Sequence, residues 1–301
     1  MILCCGEALI DMLPRETAEG EAAFAPHAGG SVFNTAIALG RLDAPVQFFS
    51  GLSSDLFGDV LRDGLSASKV DSSPAAISDR PTTLAFVKLT DGHASYAFYD
   101  ENTAGRMLTE ADLPKVSADA LFFGGISLVV EPCGAAYEAL MLREAPTRLI
   151  MIDPNIRPGF IKDEASYRAR LTRMLGAADI IKTSDEDLEW IAGHTDAATF
   201  LGQTGAQVIL LTRGAEGISV VTAEGQIDVP AVKAKVVDTV GAGDTFSAGF
   251  LAHLQSAGHL TKAGLRAAGP DALRDAAAFG AKVAAVTVSR AGANPPWASE
   301  L

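Results

Sequence analysis

Asp238-Thr-Val-Gly-Ala-Gly-Asp244, running into Thr245-Phe-Ser-Ala-Gly-Phe250, places two glycines and an alanine where a loop turns into a helix, with a carboxylate one step on. At a helix start the first backbone N–H groups lack an intrahelical acceptor, and the positive end of the helix dipole reinforces them. The amides of Gly241, Ala242 and Gly243 therefore read as a pocket for an anion. Asp244 and Phe246 lie about 200° apart around a helix. Phe246, Phe250 and Leu254 recur every four residues as a buried stripe, which leaves Asp244 facing a cleft. A carboxylate that takes a proton, beside donors that steady a phosphate, suits phosphoryl transfer to a hydroxyl. A plain glycine-rich turn is the alternative that this stretch alone leaves open.

Such a helix start needs a rigid frame, and the chain supplies the pattern for one. Ile2–Cys5, Val46–Ser50, Ala120–Phe123, Leu149–Ile152, Asp179–Lys182 and Val208–Leu211 read as buried strands. Between and after them, Ser31–Leu42, Asp55–Ser66, Tyr137–Glu144, Tyr167–Leu175 and Asp271–Val286 read as helices. Alternation of this kind implies βαβ units and a mostly parallel sheet covered on both faces, an α/β fold. Residues 81–99 break the rhythm: two β-rich runs, Thr82–Leu89 and Ala94–Tyr99, flank Asp91-Gly92 and read as a hairpin. With Met12–Phe24 it forms either a small accessory sheet or a hairpin on the edge of the main one.

Composition narrows the function. With 301 residues, 48% of them hydrophobic and 20% charged, the chain is expected to fold around a large core. A formal charge of −13 argues against nucleic acid or an anionic membrane surface as partner. Residues 1–5 are too short an apolar opening for a signal peptide, and no run approaches a membrane span. Cys4, Cys5 and Cys133 lack zinc-ligand spacing, so a reduced, cytoplasmic setting is expected.

Further polar residues fall where strands end, which is where parallel sheets bind ligands. Asp11 follows the first strand and can accept hydrogen bonds from a polyol; a solvated loop acid is the alternative. Gly29 and Gly30 permit close backbone approach, and Asn34, near the entry of the next helix, offers both donor and acceptor. Asp153, Asn155 and Arg157 alternate in a proline-flanked run, so an extended chain would aim all three at one side of a cleft. Lys182-Thr-Ser-Asp-Glu-Asp187 is either a ligand site or a capped helix start with acids in its first turn. No Gly-x-x-x-x-Gly-Lys-Ser/Thr run is present, so a P-loop is excluded.

The run ending at Asp244 resembles the second signature of the PfkB, or ribokinase-like, carbohydrate kinases, and Ala28-Gly-Gly-Ser-Val-Phe-Asn-Thr-Ala36 resembles the first. The two stand in order about two hundred residues apart, and the resemblance spans nearly the whole chain. It implies one ribokinase-like domain over residues 1–301, with a β-lid built from segments near 12–25 and 80–103. Asp244 would be the catalytic base, the Gly241–Gly243 amides the anion hole, and Asp11, Gly29, Gly30, Asn34, Arg106, Asn155 and Arg157 the sugar contacts. ATP would lie against Lys182, Ser184, Thr212, Gly214, Gly217, Gly241 and Gly243. Ser184 and Asp187 occupy the places where the family usually has Asn and Glu. Magnesium would therefore be served by Asp187 or the neighbouring Glu186, and a potassium ion is a further candidate at Asp238.

The acceptor most similar members use is fructose. Kinases of 2-keto-3-deoxygluconate tend to carry arginine after the tyrosine at 99; here Asp100 would repel an acid sugar, which favours a neutral one. The rival acceptors are that acid sugar, ribose and a nucleoside; a non-catalytic sugar-binding protein is the rival from another class. Lid strands of two copies could pair in a homodimer, and a monomer is equally open.

Overall fold

The computed structural model describes residues 1–90 and 93–301, so the Asp91-Gly92 turn expected within the hairpin lies outside the described residues. The first half runs β1 (Ile2–Cys5), β2 (Leu9–Glu16), β3 (Ala22–Gly29), α1 (Ser31–Arg41), β4 (Val46–Phe49) and β5 (Gly51–Ser53). It continues through α2 (Leu56–Ala67), β6 (Ala76–Ser78), β7 (Leu84–Thr90), β8 (His93–Tyr99), β9 (Ala120–Gly124) and α3 (Cys133–Glu144). Then come β10 (Leu149–Asp153), α4 (Glu164–Ala177), β11 (Ile180–Ser184), α5 (Asp185–Ala192), α6 (Ala197–Gln203) and β12 (Val208–Thr212). The chain ends with β13 (Ile218–Thr222), β14 (Gly225–Val229), α7 (Ala242–Ser256), α8 (Lys262–Ala267) and α9 (Pro270–Val288).

Eight strands form the central sheet in the order β14-β13-β12-β11-β10-β9-β1-β4. From β4 to β12 every pair is parallel; β13 and β14 add an antiparallel edge. All six expected strands lie in this sheet. Their side chains alternate between its faces. Ile2 and Cys4 join the core shared with α1, α7 and α9, whereas Leu3 and Cys5 join the one shared with α3, α4 and α6. Because both faces are covered, the strands show unbroken apolar runs rather than alternation.

The small sheet is separate. Its order is β3-β2-β7-β8, with β2 antiparallel to β3, parallel to β7, and β7 antiparallel to β8. The accessory-sheet reading is therefore the observed one, and the edge-hairpin reading is not.

Two helices start earlier than expected. Helix α4 begins at Glu164 rather than at Tyr167, its first buried residue, and α3 begins at Cys133 rather than at Tyr137, where small residues, Cys133, Gly134 and Ala136, are buried first. The Asp163 side chain, accepting from Ser166 N at 3.0 Å, marks the true start of α4.

Candidate active site

The carboxyl ends of β1, β10 and β11, the start of β2, and the N-termini of α1 and α7 surround a cleft of about 530 Å³. Helix α7 starts after Gly241, whose φ of 77° turns the backbone into the left-handed region that glycine tolerates. Gly241, Ala242, Gly243 and Asp244 all line the cleft. Of the three amides expected to be free, Ala242 N–H closes the turn onto Thr239 O at 3.3 Å. Gly243 N–H lies in the first turn, where a helix has no acceptor of its own to offer.

Asp244 is only 8% exposed and is held by α1. Ser31 Oγ donates to its Oδ1 at 2.7 Å and Asn34 Nδ2 to its Oδ2 at 2.9 Å. Thr35 Oγ1 donates to the Asp244 carbonyl at 3.2 Å, so the two helix starts that carry both signatures are bonded to each other. Burial raises the Asp244 pKa, opposed by the Asn34 and Ser31 hydrogen bonds, raised further by Asp153 and lowered by Lys182. Asp11 also lines the cleft, and burial together with the Asp244 charge raises it to about 6.

Beneath α7 lies a buried ion pair. Lys182 Nζ donates to Asp153 Oδ2 at 2.7 Å, while Asp153 Oδ1 has no partner and Asp153 is 0% exposed. A Cβ added at Gly243 would stand 2.9 Å from Lys182 Nζ, so the ammonium sits directly under the start of α7. Burial would lower Lys182; the neighbouring Asp153, with Asp244 and Asp187, outweighs it and holds the ammonium above its ordinary value.

Gly30, Asn34, Asn155, Arg157 and Lys182 join Asp11 and the α7 start on the cleft wall, as the sequence suggests. The extended run expected over 153–157 is not observed. Asn155 adopts φ 47°, which turns the chain: Asp153 drops into the core toward Lys182, and Asn155 and Arg157 face the cleft.

Other expected residues stand apart from the cleft. Gly29 ends β3 against the Asp11 carboxylate. Arg106 is turned away, donating to Glu131 O at 3.1 Å and pairing with Asp100 at 3.5 Å. Asp100 itself is buried and accepts from Thr83 Oγ1 at 3.0 Å. Ser184 is the N-cap of α5, accepting from Asp187 N at 3.0 Å, so the capped-helix alternative is the observed one. Thr212, Gly214 and Gly217 lie at the β12–β13 hairpin, outside the cleft wall.

The metal residues do not converge. Glu186 is exposed, and Asp187 Oδ1 accepts from Ile156 N at 3.1 Å. Asp238 uses one oxygen on Val240 N at 3.0 Å and the other on Gly292 N at 2.9 Å, stapling the loop before α7 to the chain after α9. Among the described residues no group of three or more His, Cys, Asp or Glu side chains stands close enough to hold a metal.

Four residues of the site were missed in the sequence. Ser31 holds Asp244. Phe98 on β8 and Phe160 after β10 line the cleft and meet edge to face, ring centres 4.8 Å apart, joining the small sheet to the main body. Glu7, just past β1, is buried and accepts from Ser31 N at 2.8 Å and Ser127 N at 3.3 Å. Its signal was its place at a strand end, the criterion that selected Asp11.

A buried carboxylate beside orphan amides at a helix start, all at the open end of a parallel sheet, defines a phosphotransferase acting on a small hydroxyl compound. The profile of the pfkB family of carbohydrate kinases matches residues 1–300, and the chain belongs to that family. It is 56% identical over 281 residues to a fructokinase of Rhizobium leguminosarum bv. trifolii, covering 91% of this chain and 86% of that protein. A probable fructokinase-7 of Arabidopsis thaliana is 31% identical, covering 99% and 90%. A fructokinase of Xylella fastidiosa with bound ATP superposes with TM-score 0.88 at 31% identity, over 97% and 93% of the two chains. A sugar kinase of Pyrococcus horikoshii in complex with ATP gives 0.86 at 26% identity, over 100% and 97%. The fold is thus ribokinase-like and the protein is a carbohydrate kinase. Among the described residues, no helix is long and apolar enough to cross a membrane.

Proposed function

We propose that the enzyme transfers the γ-phosphoryl group of ATP to O6 of D-fructose, giving fructose 6-phosphate and ADP. The observation that carries the choice of acceptor is the 56% identity to a fructokinase over 91% of the chain. Asp244 takes the proton of the attacking hydroxyl, and the Gly241 and Gly243 amides, with Lys182 beneath them, stabilise the phosphoryl in transit. Asp11, Gly30 and Asn34 hold the sugar. The β3-β2-β7-β8 sheet acts as a lid, and contact between Phe98 and Phe160 keeps out water that would compete for the phosphoryl group.

Magnesium fits this site as a companion of the nucleotide rather than as a resident ion. It keeps most of its water and asks for one or two carboxylates, and Asp187, which gives one oxygen to Ile156 N, is of that kind. When bound it would neutralise charge on the phosphates. Arg106 stands 3.5 Å from Asp100, whose carboxylate offsets its charge toward an acid sugar, which supports a neutral acceptor.

An acceptor panel read by coupled ADP release tests the assignment. Fructose should exceed ribose, a nucleoside and 2-keto-3-deoxygluconate in kcat/KM by at least about tenfold. Preference for the acid sugar would overturn the argument from Asp100 and Arg106. Sugar binding without ADP release would return the protein to the non-catalytic class.

A further inference from the structure

Helix α1 carries Ser31 and Asn34 to the Asp244 carboxylate, yet its own start lacks the usual side-chain cap. Gly30, at the cap position, has none to offer. The first amide of the helix, Ser31 N, instead donates to Glu7 Oε1 at 2.8 Å, from a residue twenty-four positions earlier. The other Glu7 oxygen accepts from Ser127 N at 3.3 Å, in the turn that follows β9. Glu7 thus ties the end of β1 to α1 and to the β9 turn with one carboxylate.

Two glycines make room for it. Gly30 has φ 107°, and a Cβ there would come within 2.9 Å of the Glu7 carbonyl oxygen. Gly125 has φ 70°, and a Cβ there would overlap the Glu7 carboxylate itself. Neither position accepts a side chain without backbone strain, so the chain reserves this place for the carboxylate.

We propose that Glu7 is the positioning residue of the base: it anchors the first turn of α1 so that Ser31 Oγ and Asn34 Nδ2 meet both oxygens of Asp244. The connection is two bonds long, from Glu7 Oε1 to Ser31 N and from Ser31 Oγ to Asp244 Oδ1, at 2.8 and 2.7 Å. Burial raises the Glu7 carboxyl, its hydrogen bonds lower it, and the Asp244 charge raises it further, as that charge also raises Asp11 from β2. Asp153 from the end of β10 and Lys182 from β11 act on Asp244 itself. Cys133, Tyr137 and Tyr167 surround Glu7 as neutral groups, each with its pKa raised chiefly by burial.

The proposal rests on Asp244 being the base of a sugar kinase, and the test separates the two ideas. Glu7→Gln, Ser31→Ala and the double variant are assayed across pH by ADP release, with thermal melts to confirm folding. Glu7→Gln should lower kcat by about 10- to 100-fold while KM for the sugar shifts by no more than about threefold, because the base loses its orientation and the sugar keeps its contacts. The double variant should lose less than the product of the single losses, by about fivefold or more, since both act through one contact. Glu7→Asp keeps the charge on an arm one methylene shorter; its kcat should fall as well.

Additive losses, or a rise in KM with kcat unchanged in Glu7→Gln, overturn the proposal. Should Glu7→Gln fail to fold, wild-type kcat in Glu7→Asp overturns it equally. A wild-type enzyme that releases no ADP with any sugar would instead end the kinase reading, whatever the variants do.

Discussion

Asp244→Ala lowers kcat by about 10²- to 10⁴-fold, while KM for sugar and nucleotide shifts by no more than about threefold. In the proposed reaction this carboxylate accepts the proton of the attacking hydroxyl, so its removal acts on the transition state rather than on binding. Asp244→Asn should lose a similar factor and melt no lower than wild type at pH 7. The reason lies in the sign of the linkage. Burial raises Asp244, and Asp11 with it, so between the ordinary carboxylate range and the raised values the folded protein binds more protons than the unfolded chain. Stability from these groups is present at low pH and falls as pH rises through that window. At pH 7 the full cost of ionising them in place is felt, and an amide at 244 relieves part of it. Activity runs the other way, because the base must be ionised: kcat/KM should fall as pH drops through the raised pKa of Asp244. Near-wild-type turnover in either variant would show that another group takes the proton.

The frame and the helix start that carries Asp244 could be read from the sequence for local reasons. Runs such as Leu149–Asp153 are apolar throughout because the sheet buries both their faces, and the Gly-Ala-Gly-Asp turn declares a helix start within four residues. What escaped depends on contacts distant along the chain. Asp153 faces Lys182 across twenty-nine positions, and nothing in the alternation of Asp153, Asn155 and Arg157 announces that Asn155 turns the chain between them. Helices α5, α6 and α8 run to eight residues or fewer, too short for an amphipathic period to stand out. Asp187, Ser184 and Asp238 carry the right oxygen chemistry for a nucleotide site, yet much of it serves caps and loop staples. Sequence type alone does not distinguish an acid that meets a ligand from one that closes a turn.

The buried pair gives the second large effect, this time on stability. Asp153→Asn leaves Lys182, 5% exposed, without its counter-charge, and removing one partner of a buried pair costs about 3–5 kcal/mol. Chemical denaturation at pH 7 measures it. The sign with pH follows from Lys182. In the wild type its raised pKa means the pair is intact below the ordinary lysine value and weakens only as pH climbs through the higher folded one. Without Asp153, burial gains weight and pulls Lys182 down, so the deficit of the variant should shrink as pH rises toward about 10. Replacing both partners by apolar residues of similar size, Asp153→Leu with Lys182→Met, should restore stability to within about 1 kcal/mol, since neither charge is then left buried alone. Turnover should remain depressed by about 10²-fold or more, because the ammonium under Gly243 is part of the electrostatic field on the transferring phosphoryl. Stability and rate therefore part company in the double variant. If its turnover recovers along with its stability, the pair serves only to hold the fold and the anion pocket works without it.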